Sequence, residues 1–179
     1  SLSLRLFFTI WVIYIFHFNP FICISPRFVY VTMSLSEKCS IRSDGLYDQD
    51  TLIYKGHPYI STNPGMSFMA APFWAIAYHL IYRWLPKTSF LSHKTVHFLL
   101  VCFISFALTS ALYSALTALL LALFIYKRTQ RLWRALLGAF LYAFGSIAFY
   151  YSTSFNQHTA IALCSFLIFT LIFEPEIIP

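Results

Sequence analysis

Carboxylates are scarce in this chain, and where they stand marks where chemistry could occur. Of six Asp and Glu residues, four (Glu37, Asp44, Asp48 and Asp50) fall between Ser25 and Asn63, while Glu174 and Glu176 sit in the last few residues. The stretch reads SPRFVYVTMSLSEKCSIRSDGLYDQDTLIYKGHPYISTN and runs on into PGMSFMAAPFW. Nearly everything around it is apolar. A carboxylate is expensive inside a bilayer and cheap at its edge, so an acid-bearing loop between apolar segments is where proton transfer would be placed. Each acid also has a plain structural reading. Asp44 precedes Gly45 and fits a turn, and Asp50 could pair with Lys55 or cap a helix starting at Thr51.

Composition says what must position that loop. The chain has 179 residues, 59% of them hydrophobic and 10% charged, with a mean hydropathy of +0.71. A soluble domain is about half apolar and about a quarter charged, so the chain reads as an integral membrane protein. The net charge of +6 points to basic cytoplasmic loops beside anionic membrane lipid. No nucleic-acid-binding motif is present, and no nucleic acid partner is expected. Cys23, Cys39, Cys102 and Cys164 form no CxxC pair, so neither a zinc site nor a disulfide framework is implied.

The apolar runs predict an all-α polytopic membrane protein. Residues 6–24 are long enough to cross a hydrocarbon core of about 30 Å. Arg5 ahead of them puts the N-terminus in the cytoplasm and the loop 25–64 outside. Within the loop, residues 27–35 fit a short amphipathic helix. Gly56-His57-Pro58 signals a turn, and Asn63-Pro64-Gly65 a turn followed by a helix start. Residues 97–126 form a second span, then Lys127, Arg128, Arg131 and Arg134 give the densest basic cluster. That cluster belongs in the cytoplasm, so residues 66–85 cannot also cross and are expected to lie at the outer leaflet as a juxtamembrane or re-entrant helix. Residues 132–151 and 160–173 complete the spans, with Gly138, Ala139, Gly145 and Ser146 as a close-packing face. Asn156 and His158 emerge between them, on the side of the first loop. With no initiator Met and a final EPEIIP directly after a span, the chain reads as a fragment of a longer protein.

The loop resembles the first outer loop of the GT-C superfamily of membrane glycosyltransferases, which includes protein O-mannosyltransferases, aminoarabinose transferases and their bacterial relatives. The residues that carry the resemblance are Arg27-Phe28, Ile41 to Asp44, Asp50, Gly56-His57-Pro58-Tyr59-Ile60-Ser61-Thr62-Asn63-Pro64-Gly65 and Ala70-Ala71-Pro72-Phe73-Trp74. The sharp part lies within residues 41–74. The resemblance implies a GT-C-like helical bundle whose long first extracytoplasmic loop carries juxtamembrane helices. It also implies transfer of a sugar from a polyprenyl-phosphate donor to a lipid, glycan or protein acceptor, in a bacterial inner or plasma membrane. The chain departs from the pattern where an acid ordinarily precedes the Arg-aromatic pair (Ile24, Ser25 and Pro26 stand there) and where Asp-Lys precedes Pro-Gly (Thr62-Asn63).

On that resemblance Asp50 is the leading base, with Asp44 and Asp48 the alternatives. Arg27, His57, Tyr59, Asn63 and His158 are the expected substrate-binding residues, and Asn63 takes the phosphate position. A leaving lipid phosphate calls for cationic and N–H donors around it. No cofactor is required, although the reading leaves room for a divalent cation. His93 and His97, one helical turn apart, form the one His pair with metal- or haem-like spacing. The competing readings are a transporter subunit or other non-enzymatic polytopic protein, a haem or quinone protein, and an inactive truncated glycosyltransferase.

Overall fold

The apolar runs of the sequence form helices, and the computed structural model describes residues 2–19, 26–43, 51–61, 63–80, 82–84 and 93–173. Those residues are mostly helical. They fall into two compact units, Ser1–Phe18 with Ser110–Pro179, and Asn19–Thr109.

The first unit contains α1 (Leu2–Phe16), α5 (Ser110–Thr129), α6 (Leu132–Gly145), α7 (Ala148–Ser152) and α8 (His158–Phe173). Helix α5 is its centre and touches the other four. It can do so because it buries a stripe of small residues, Ala111, Ser114, Ala115, Ala118 and Ala122, where backbones approach closely. Helix α6 answers with Ala135, Ala139 and Ala143, one per turn. A Cβ added at Gly138 would lie 2.3 Å from Ile125 Cδ1, so any side chain there requires the end of the Ile125 side chain to move. Gln130 joins α5 to α6 with φ +52°, and its N–H closes on the Tyr126 carbonyl at 2.7 Å. The buried Tyr14 of α1 donates its hydroxyl to the Ala143 carbonyl at 3.1 Å.

The second unit contains α2 (Pro26–Lys38), an antiparallel hairpin of β1 (Thr51–Tyr54) and β2 (His57–Ile60), α3 (Gly65–Leu80), a 3-10 turn (Tyr82–Trp84) and α4 (Lys94–Leu108). Helix α2 lies along α3, burying Phe28, Val29, Val31 and Thr32 with Met66, Ser67, Ala70 and Trp74. In the hairpin, Lys55 (φ +50°) and Gly56 (φ +78°) form the two-residue turn, which matches the right-handed twist of paired strands. The turn therefore sits one residue earlier than Gly56-His57-Pro58, and His57 and Pro58 belong to β2.

Several expected boundaries shift for local reasons. Helix α1 ends at Phe16 and not at residue 24. The His17 ring Nδ1 bonds the Ile13 carbonyl at 2.8 Å, and Pro20 biases the chain away from helix. The run from 97 to 126 is interrupted at Thr109 (φ −127°, ψ −80°), whose hydroxyl bonds back to the Ser105 carbonyl. The run 132–151 breaks after Gly145, where Ser146 donates to the Tyr142 carbonyl at 2.7 Å and accepts the Ala148 N–H at 3.1 Å. Helix α3 stops at Leu80, short of residue 85. Among the described residues one helical stretch, Lys94–Thr129, is long and apolar enough to cross a membrane by length and composition. Leu2–Phe16, Leu132–Gly145 and His158–Phe173 are apolar but shorter.

Candidate functional site

The second unit is organised around one carboxylate. Glu37, in the last turn of α2, accepts a hydrogen bond from Trp74 Nε1 of α3 and another from His97 Nε2 of α4, each at 2.8 Å. Three helices thus meet on one oxygen, Oε1. The Glu37 and His97 side chains are only 13% and 17% exposed, so the pair is well shielded. The sequence sets this up locally. Residues 26–38 alternate an apolar face (Phe28, Val29, Val31) with hydroxyls, and α2 needs polar partners along its packed side. Ser67 of α3 donates to the Phe28 carbonyl at 2.9 Å, and His79 Nε2 reaches the Ser36 carbonyl at 3.2 Å. The Ser36 hydroxyl lies 2.7 Å from the Thr32 carbonyl and 2.8 Å from the Ala71 carbonyl; its one proton serves one of them at a time.

Aromatic rings enclose the imidazole. The Tyr82 ring is 4.3 Å from that of His97, Trp74 5.4 Å and Tyr78 6.3 Å. Burial, the Glu37 charge and Tyr78, in that order, hold the Tyr82 phenol above its ordinary pKa. Because a carboxylate only accepts, the bond to Glu37 places a His97 proton on Nε2. Chemically this is an oriented carboxylate–imidazole pair of the kind that positions a proton acceptor.

The residues expected from sequence are distributed differently. Asp50 and Asp44, the proposed bases, lie outside the described residues, as does Asp48. Arg27 stands in the first turn of α2, half-buried, with its guanidinium 5.9 Å from the Phe28 ring. His57 and Tyr59 are two apart on β2 and so share a strand face, half-buried, while Pro58 and Ile60 are buried on the other. Tyr59 also bridges to Arg42, and the Ser43 N–H donates to the Pro58 carbonyl at 3.0 Å, so β2 is paired on both edges. Asn63 is exposed just ahead of α3. The structure therefore brings His57 and Tyr59 onto one face.

His158 belongs to the first unit. It opens α8, exposed, with its ring 4.4 Å from Tyr151 and its N–H donating to Asn156 Oδ1 at 3.0 Å. Asn156 is occupied in fastening its own turn: its Nδ2 donates to the Tyr151 carbonyl at 2.7 Å and to Ser154 Oγ at 2.8 Å.

His93 is exposed ahead of α4 while His97 faces Glu37. Among the described residues no group of three His, Cys, Asp or Glu side chains could hold a metal ion. The feature that sequence reasoning passed over is Glu37. It counted as one of four clustered acids, but its partner His97 is 60 positions away and no local pattern links them. The available signal was Glu37 as the one acid in a helix otherwise lined with hydroxyls. No family model, curated protein or solved structure matches the chain.

Proposed function

We propose that the chain belongs to a membrane glycosyltransferase of GT-C type, moving a sugar from a polyprenyl-phosphate donor to an acceptor at the outer face of a bacterial membrane. The observation that supports it most is the second unit itself. The stretch with the family-like motif forms two paired helices and a hairpin, and is followed by apolar α4. This is what a folded loop with juxtamembrane helices requires. In this reading His57 and Tyr59 offer one face of β2 to the donor, and Asn63 with the start of α3 faces the phosphate. Asp50, next in sequence to β1, takes the acceptor proton. The Glu37–His97–Trp74 knot ties α2, α3 and α4 together and acts through position.

The test is sugar transfer from a polyprenyl-phosphate donor in membranes that contain the full-length protein. Asp50→Asn is expected to lower the rate by roughly 100-fold or more, the range of a lost general base. Wild-type activity in that variant removes Asp50 as the base. No transfer from any lipid-linked sugar by the wild type removes the enzyme reading.

A further inference from the structure

At one end of the first unit a groove of about 310 Å³ opens between α1, α5 and α6. That is the lower end of the usual size of ligand sites, about 300–1,000 Å³. Its walls are apolar: Leu6 of α1, Leu119 and Leu123 of α5, Leu132 and Leu136 of α6. Charge gathers at the same end. Arg5 stands between the lining residues Ser3 and Leu6; Lys127 follows the lining Tyr126; Arg131 precedes the lining Leu132; and Arg134 precedes the lining Ala135. With Arg128 these make five cations, and no Asp or Glu occurs among the described residues of this unit.

Two of the cations are placed against their own helix. Lys127 and Arg128 at the C-terminal turn of α5 suit its negative end. Arg131 is the N-cap of α6 with no side-chain cap hydrogen bond, and Arg134 lies in its first turn, where the helix is already positive. Both side chains are exposed, so water screens the mild repulsion, and an anion from outside would relieve it. An apolar slot beside an unneutralised cationic helix start matches a molecule with an apolar chain and an anionic head.

We propose that this groove binds one anionic glycerophospholipid, its acyl chain between α1, α5 and α6 and its phosphate against Arg131 and Arg134. The proposal rests on the membrane reading of the chain and not on sugar transfer. It assigns the basic end a defined lipid site in place of a diffuse attraction to the bilayer surface.

The experiment is native mass spectrometry of the full-length protein extracted from membranes in mild detergent, titrated with phosphatidylglycerol or phosphatidylcholine. One phosphatidylglycerol per chain is expected, in clear preference to phosphatidylcholine. Arg131→Gln with Arg134→Gln should weaken it about thirtyfold, roughly fivefold for each charge. Leu132→Trp, at a partly exposed wall position, should displace it with the charges intact; Leu136→Trp repeats the block deeper in the groove. Equal binding of the two lipids overturns the proposal, and so does binding that survives both tryptophans. A wild type that retains no lipid also overturns it and points to another segment of the full chain in the groove. Recovery in the soluble fraction would remove the membrane reading together with the site, whereas an inactive but lipid-bearing protein would remove the transferase alone.

Discussion

The two units differ at their tightest helix contacts. In the first, α5 and α6 meet through the small residues Ala122, Ala135, Ala139 and Gly138, with Leu6 and Ile125 packed against them. In the second, α2, α3 and α4 are tied by directional bonds that converge on the Glu37 carboxylate, with serine hydroxyls and carbonyls alongside. Close contact of small residues is insensitive to protonation but intolerant of volume. A hydrogen-bonded knot tolerates volume at its rim but fails when its acceptor is lost. A unit held the first way suits a scaffold; one held the second way suits a region whose polar groups must be kept in place for use.

That contrast can be broken at its strongest point. Glu37→Ala strands the Trp74 and His97 donors and should destabilise the second unit by about 2–5 kcal/mol, two hydrogen bonds to a charged group. Glu37→Gln, which keeps an acceptor oxygen, should lose less. Thermal unfolding followed by Trp74 emission, with Trp11, Trp84 and Trp133 replaced by Phe in every variant, measures both, and an alanine variant that melts like its parent would dissolve the distinction.

Next in size is the packing side. Gly138→Val should cost about 1–3 kcal/mol as an overpacked crossing, seen as a lowered melting temperature in detergent. Gly138→Ala should cost less, because Ile125 Cδ1 is the far end of a flexible side chain and can swing aside. Equal tolerance of both would mean that α5 and α6 are not in close contact.

The smallest effect concerns Tyr82. Its folded pKa is raised above 10.0, so it keeps its proton when the unfolded chain has begun to lose it. The associated stability is complete below pH about 10 and declines as pH rises toward the folded value. Tyr82→Phe should flatten part of that alkaline decline, read as the difference between two melting curves at pH 9 and 11. Identical slopes would place Tyr82 outside the Glu37 knot.

Much of the local structure was legible from residues near in sequence. Arg27 to Leu35 reads as a helix, and Pro64-Gly65 reads as a helix start; α2 and α3 follow both. The basic segment after Tyr126 marks the α5–α6 turn; of the expected close-packing residues Ala139 is buried and Gly138 meets Ile125, whereas Gly145 and Ser146 are exposed and the packed side is completed by Ala135 and Ala143. The breaks at Thr109 and Ser146 were not legible. A hydroxyl bonds back to a carbonyl at each, but Thr32, Ser36 and Thr117 do the same inside unbroken helices, so the residue type leaves no readable signal of a break. The Glu37–His97 pair was not legible either, because tertiary partners 60 positions apart leave no periodic trace. For the site, His57 and Tyr59 were named from the motif, but the hairpin that puts them on one face was not expected in an all-α reading that took residues 56–58 as a turn. The predicted base Asp50 lies outside the described residues and stands on the motif alone.

The hairpin carries a practical consequence. Leu52, Ile53 and Tyr54 of β1 are each more than half exposed, a row of apolar side chains on a short extended strand. Such a strand in water is a template for pairing with its own kind. Cut free of its helices and placed in aqueous buffer, the loop would carry its own aggregation nucleus. Work on its chemistry therefore calls for detergent or lipid from the first step, or for a charged residue at Ile53 to keep separate copies apart.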